Sequence, residues 1–271
     1  MTRTLENQTL LYDADCPLCR VYTKGFIDAG MLDENGKKPY CQLTAEEQIF
    51  IDVNRASNEI ALVDNINKTV IYGIDSLLKV IGFSFPWMEK VGNWKPIKFF
   101  LKKLYSFISF NRKVIIPSRI NRNLKLHCIP DFSYKYRFIY IAFAWIVSSF
   151  ILFKYLKICH LEYYNFSLIA FGIFIQMPIQ GLFILKFKTE VAFNYIGNLI
   201  TISLFGSLVI LPILILNFVI DVNSDFNLVY LTFTFLVLVY EHYRRLSILE
   251  LPKYLVLTWV LLCGFMIYSL L

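Results

Sequence analysis

Hydrophobic and polar positions follow two different rules along this chain, and the rule changes near residue 137. Before that point apolar residues come in short runs separated by polar turns. Thr9-Leu10-Leu11-Tyr12 reads as a short buried strand, and residues 21–29 read as a helix. Pro39-Tyr40-Cys41-Gln42-Leu43 suggests a second strand, with Cys41 as a small buried hydrophobe. Residues 59–64, a turn at 65–68 and residues 69–73 read as a β-hairpin. A helix then begins at Ile74, with Asp75 or Ser76 available as its cap. Residues 95–110 are amphipathic: Phe100, Leu104, Phe107 and Ile108 follow helical spacing, while Lys95, Lys98 and Lys102 gather on another side.

After Arg137 the polar interruptions almost vanish. Five apolar runs follow, at 138–155, 166–187, 193–220, 226–240 and 254–271. A membrane-crossing helix needs about 20 such residues. A soluble helical bundle would show polar faces, and these runs show almost none. The expected fold class is therefore an α/β N-terminal domain joined to an all-α transmembrane domain of about five spans.

Composition sharpens the division. Hydrophobic residues make up 57% and charged residues 17% of the 271, which excludes disorder and a highly soluble globule. Six cysteines are too few for a disulfide scaffold. The net charge of +7 is unevenly spread. Residues 1–89 hold eight basic and thirteen acidic side chains, residues 90–137 hold twelve basic side chains and only Asp131 as an acid, and residues 138–271 are nearly neutral. The chain divides into an acidic head core (1–89), a basic amphipathic neck (90–137) and an apolar body (138–271).

Basic residues near the runs set an orientation. Arg119, Arg122, Lys125, Lys135 and Arg137 fall on one side, with Lys186, Lys188, Arg244, Arg245 and Lys253. The other side has Lys154 and Lys157, then Asp221-Val222-Asn223-Ser224-Asp225 with no basic residue, then the C-terminus at Leu271. The reading is a multi-pass protein with its N-terminal domain in the cytoplasm and its C-terminus outside. Residues 1–9 are polar and lack the apolar stretch of a signal peptide. The neck should lie on the anionic inner leaflet, which explains its charge more simply than nucleic-acid binding does.

Polar residues inside the runs are candidate sites. Gln176 and Gln180 share a helix face around Pro178, and Asn194, Asn198, Asn217 and Pro212 punctuate the next run. Hydrogen bonding between helices is the simpler account of them. His160 reads as an exposed loop residue. Glu241, His242, Arg244 and Arg245 form a cytoplasmic cluster that could hold a phosphate or lipid headgroup, or serve as ordinary positive-inside residues with a local ion pair.

The chemistry of the head lies in Asp13-Ala14-Asp15-Cys16-Pro17-Leu18-Cys19-Arg20. A strand, a turn and Cys-x-x-Cys opening a helix is the thioredoxin-type arrangement. Free N–H groups at the helix start stabilise a Cys16 thiolate. Cys19 lies almost one turn on, where it can close a disulfide, and Pro17 suits the first helical turn. In the expected cycle Cys16 attacks a partner disulfide and Cys19 releases the reduced partner, leaving a Cys16–Cys19 bond for an external donor to reduce. Asp15 should oppose the thiolate. Two alternatives stand beside this: a zinc site, whose second half is lacking because Cys41 is alone and His127-Cys128 is remote, and a redox-inactive domain kept for docking.

These residues resemble the thiol-disulfide oxidoreductase DCC family. The resemblance rests on Tyr12-Asp13-Ala14-Asp15-Cys16-Pro17-Leu18-Cys19, on Val70-Ile71-Tyr72-Gly73-Ile74-Asp75-Ser76, and on Leu104-Tyr105-Ser106-Phe107-Ile108-Ser109-Phe110-Asn111-Arg112. It covers residues 9–115 and implies a thioredoxin-like fold, a disulfide reductase activity and Cys16 and Cys19 as the redox pair. Asp13 and Asp15 carry over as motif residues without an assigned role. Ala14 stands where the family commonly has Gly. No proline precedes the hairpin strand at Asn58-Glu59-Ile60, so the cis-proline that seats a substrate chain in thioredoxins is missing, which bears on protein-disulfide activity.

The expected function is a membrane-anchored thiol-disulfide oxidoreductase at the cytoplasmic face, with the Cys16–Cys19 disulfide as its only redox group, no metal, and a disulfide-bearing protein or small thiol as partner. The alternative is a non-catalytic thioredoxin-like interaction module on a membrane domain that binds a lipid, a quinone or a partner subunit. Electron transfer across the membrane to Cys159 and Cys263 is the weakest reading, because those two are not a paired motif.

Overall fold

The computed structural model describes residues 3–119, 126, 128, 130–161, 165–220 and 222–268, with side chains to 266. Arg122, Lys125, His127, Asp221 and Leu271 of the sequence reading lie outside the described residues. The chain forms two compact units, Met1–Tyr136 and Arg137–Leu271.

In the first unit β1 (Gln8–Tyr12) leads into α1 (Pro17–Asp28), β2 (Lys37–Pro39), α2 (Val53–Asn58), β3 (Ala61–Asp64), β4 (Val70–Tyr72), α3 (Ile74–Ser84), α4 (Pro86–Asn93) and α5 (Lys95–Ile115). The sheet order is β2-β1-β3-β4. β1 pairs parallel to β2, with Leu11 opposite Lys38, and antiparallel to β3, with Leu10 opposite Leu62. β3 and β4 form the expected hairpin, with Leu62 opposite Ile71. Strand alternation gives this sheet two buried faces. Leu11, Ala61 and Val63 pack with Tyr40, Leu43, Ile51 and Ala56 on one face. Leu10 and Leu62 pack with Leu5, Leu32, Ile60 and Val80 on the other.

Several expectations shift. The second strand ends at Pro39, and Tyr40–Gln42 forms a tight helical turn in place of strand, because proline has no N–H to carry the ladder on. Cys41 is only half-buried. Neither Asp75 nor Ser76 caps α3. Its N-cap is Gly73, while Asp75 pairs with Lys98 at 2.8 Å and the Ser76 hydroxyl donates to the Ile71 carbonyl at 2.6 Å.

The second unit comprises α6 (Tyr134–Ile158, entering from the end of the first unit), α7 (Phe166–Leu182), α8 (Thr189–Val219), α9 (Ser224–Ile248) and α10 (Tyr254–Tyr268). Among the described residues two helices, α6 and α8, are long and apolar enough to cross a membrane. The expected fold class, a thioredoxin-like N-terminal domain with about five spans, is therefore corrected: the described chain is mostly helical, its sheet is four short strands, and two helices rather than five meet the requirement. α7 stops after 17 residues although its apolar run continues to Phe187, and the described part of α10 has 15 residues, both short of about 20. α9 is long enough at 25 residues but carries Asp225, Asn227, Thr232, Thr234, Glu241, His242, Arg244 and Arg245.

The glutamines and asparagines of this unit join helices, as the simpler account held. The Trp259 indole donates to Gln176 at 2.8 Å, the Tyr195 hydroxyl donates to Gln180 at 3.0 Å, and Gln180 also meets Thr258 at 3.2 Å. Asn217 and Asn227 exchange hydrogen bonds at 3.0 and 3.1 Å. Pro178 lies inside α7 and Pro212 inside α8. His160 is exposed, with a left-handed backbone at φ 57°.

Candidate functional site

The turn between β1 and α1 gathers the cysteine motif. The Asp13 side chain accepts from the Asp15 N–H at 3.0 Å and its carbonyl accepts from the Cys16 N–H at 3.1 Å, which folds the chain tightly over one buried carboxylate. Cys16 is the N-cap of α1 in extended conformation, and Pro17 occupies the first helical turn, as expected from its missing N–H. Cys19 follows on the buried face of α1. Both cysteines are free thiols.

Their environments differ in kind. The Cys16 thiol is lowered to about 6, chiefly because its sulfur accepts from the Cys19 side chain, with the Cys19 backbone N–H and the Arg112 charge helping. Burial and the Asp13 carboxylate oppose this. Cys19 is pushed up by that same bond to Cys16, by burial and by the charge on Cys16. Asp13, turned inward at 4% exposure, is a carboxylate that opposes the thiolate. The Tyr22 hydroxyl also bonds Cys19 and is itself raised well above its ordinary value, first by burial.

α5 supplies residues that sequence reasoning left without a role. Arg112 Nε lies 3.6 Å from Asp13 Oδ2, and Lys113 Nζ lies 3.0 Å from the same oxygen. Arg112 also donates to the carbonyls of Ser57 (2.9 Å), Asn58 (3.1 Å) and Cys128 (3.2 Å) and to the Cys128 sulfur (3.3 Å). Its net shift is upward: burial opposes the charge, but Cys128, Cys19, Asp13 and Cys16 all favour it. One buried guanidinium therefore serves Asp13 and three cysteines. Cys128, read from sequence as remote, is beside the motif, and burial pushes its thiol up to about 12. The Tyr105 hydroxyl accepts from the Ile60 N–H at 2.8 Å, and Ser109 donates to the Asn58 carbonyl at 2.6 Å. In the sequence these residues stand out as the end of the third block of the DCC resemblance, and the structure buries Ser109, Asn111 and Arg112.

A cavity of about 220 Å³ opens beside this cluster. Cys19, Tyr22, Tyr105, Ser109, Arg112 and Cys128 line it together with aliphatic side chains; Cys16 does not. Among the described residues no group of three or more His, Cys, Asp or Glu is placed to hold a metal.

The cluster expected at Glu241, His242, Arg244 and Arg245 does not converge on one point. Arg244 and Arg245 both turn onto Glu241, at 2.6 and 2.8 Å, and Arg245 also donates to Asn198 at 2.8 Å. His242 faces the other way, stacked on Tyr195 and edge-on to Trp259, with ring centroids 6.1 and 5.2 Å apart. An i,i+4 helical spacing brought Glu241 and Arg245 together, and the same periodicity sent His242 inward.

Comparison of the chain with protein-family models, with curated proteins and with solved structures finds no match.

Proposed function

We propose that the chain is a membrane-anchored thiol–disulfide oxidoreductase that works through Cys16 and Cys19. The observation that carries this reading is the asymmetry of the pair: Cys16 at the start of α1 is lowered to about 6, while Cys19, its hydrogen-bond donor, is raised. A thiolate at neutral pH is the attacking species, and a protonated neighbour is held back until the first bond has formed. Cys16 thiolate attacks a substrate disulfide, one substrate sulfur leaves, and Cys19 then displaces the other to form Cys16–Cys19. The DCC-like motif residues agree with this assignment. Asp13 and Arg112 act on the pair by opposed charge.

The test is the reduction potential of the pair, with turnover of a substrate disulfide before and after Cys16→Ser. A reversible two-electron couple and loss of turnover in the variant are expected. Cys19→Ser should stall on a mixed disulfide that names the partner. A pair that never oxidises sinks the proposal.

A second reading is favoured by one observation, the complete burial of Cys16. On that reading the first unit is a non-catalytic interaction module on a membrane domain that binds a lipid, a quinone or a partner subunit, and Cys16→Ser leaves its function intact.

For location, the proposal is a multi-pass protein with α6 and α8 as spanning elements and the first unit in the cytoplasm, by the basic residues before α6. α5 exposes Phe99 and Phe100 beside Lys95, Lys98, Lys102 and Lys103, a composition suited to an anionic leaflet. Compartment-specific reporters at both ends test this. Two crossings place both reporters in the cytoplasm, and a C-terminal reporter on the outer side would count against two spans.

A further inference from the structure

Neither sulfur of the pair offers itself to a large partner. Cys16 is 0% and Cys19 7% exposed. The chain beside them is already engaged as well. The Asn58 carbonyl accepts from Ser109 and Arg112, the Ile60 N–H is taken by Tyr105, and the Ile60 carbonyl accepts from the Gly73 N–H at 2.8 Å. An incoming peptide strand would find these backbone groups occupied, so strand pairing cannot seat a protein disulfide there.

The cavity is an approach of another kind, open to a small molecule, and it reaches one sulfur of the two. Its walls include Cys19 but not Cys16. Its volume of about 220 Å³ falls below the ~300–1,000 Å³ of sites for drug-sized ligands. Leu18, Tyr22, Ile60, Leu77, Tyr105 and Ile108 make most of its surface apolar. The charges at its edge are matched internally, Asp13 by Arg112 and Lys113, and Glu59 by Arg55 at 3.5 Å.

Resting on the oxidoreductase reading, we infer that this cavity receives a small, uncharged, apolar thiol, which attacks Cys19 of the Cys16–Cys19 disulfide and regenerates the dithiol. The donor's sulfur, as thiolate, bonds to Cys19 Sγ while the Cys16–Cys19 bond breaks, and the electron pair leaves on Cys16. Cys16 is the sulfur equipped to keep it, through the Cys19 N–H and the Arg112 charge. A second donor thiolate then attacks the donor sulfur of the mixed disulfide. Cys19 is released and takes up a proton, and the donor departs as its own disulfide. Two thiols are oxidised and one disulfide is reduced.

The experiment uses the oxidised full-length chain in detergent, with benzenethiol and glutathione as probes, each rate normalised to the same thiol acting on a free model disulfide. Benzenethiol should hold a normalised advantage of about tenfold or more, the scale on which an apolar pocket discriminates. Quenched peptide mapping should place the adduct on Cys19. Ile108→Trp, at a wall residue that is partly exposed, should remove the advantage and leave the equilibrium potential of the pair unchanged. Equal normalised rates, an adduct on Cys16, or indifference to a folded Ile108→Trp would overturn the inference while the oxidoreductase reading stands. Where Ile108→Trp does not fold, the adduct position in the unaltered chain decides. A chain in which no Cys16–Cys19 disulfide forms would overturn both.

Discussion

Arg112 Nε and Asp13 Oδ2 face each other at 3.6 Å in the interior of the first unit, with the Arg112 Nε making no hydrogen bond of its own. Their attraction is Coulombic, and Lys113 at 3.0 Å shares the carboxylate. The two charges act on Cys16 with opposite sign, Asp13 raising its thiol and Arg112 lowering it. Whatever shifts the balance between them shifts the nucleophile.

Two substitutions separate these effects. Asp13→Asn should lower the Cys16 thiol further, and Arg112→Gln should raise it, both read from the thiolate ultraviolet absorbance as pH is varied. Removing one partner of a buried ion pair costs ~3–5 kcal/mol in general. Asp13→Asn should fall at the low end in urea unfolding, because Arg112 keeps its carbonyl partners at Ser57, Asn58 and Cys128.

The pair also sets a pH dependence of stability. Cys16 is lowered from 9.0 to about 6, so the folded state holds fewer protons than the unfolded state between those values. Stability from this group is fully present above pH 9.0, declines as pH falls, and is gone below about 6. Cys19 is raised, so its contribution is present below the ordinary thiol value of 9.0 and is lost as pH climbs above it. Thermal melts should show a maximum near pH 9.0, and Cys16→Ser should remove the rising limb.

Gly73 caps α3 with φ +66°, and a Cβ there would meet the Glu59 carboxylate oxygen at 2.8 Å. With ψ at −140° this backbone is in a region nearly exclusive to glycine, and a residue with a side chain held there costs about 1–3 kcal/mol. Gly73→Ala should destabilise the first unit by at least that much in chemical unfolding. Adding Glu59→Ala should recover the part due to the contact and leave the backbone part.

Ile146 lies at the middle of α6 and is 55% exposed. An arginine at the centre of a spanning helix costs about 2.5–3.5 kcal/mol for insertion. With a compartment-specific reporter placed directly after α6, Ile146→Arg should lower the fraction of molecules whose reporter reaches the outer side, while Ile146→Leu should not; α8 keeps either variant in the membrane. Equal behaviour of the two variants would count against α6 as a span.

The β1–turn–α1 segment and the hairpin were readable because their signals are local: Leu10 and Leu11 between polar turns, Pro17 at a helix start, and the turn between Asp64 and Thr69. The spans were over-counted because apolar character does not report where a helix ends. Leu182 closes α7 while Phe183, Ile184 and Leu185 continue the apolar run in turns. The site was half readable. Cys16 and Cys19 announce themselves by spacing, but Arg112 and Cys128 reach them only through tertiary packing of α5 and the segment after it. No periodicity links those positions, so Cys128 was set aside as distant.

Asn58 grips Asp131 at two points, donating to its carboxylate at 2.8 Å and accepting from its backbone N–H at 2.7 Å. The carbonyl of the same Asn58 is held by Arg112. The chain that leads into α6 and the guanidinium beside Cys16 therefore meet at one residue, Asn58, at the end of α2.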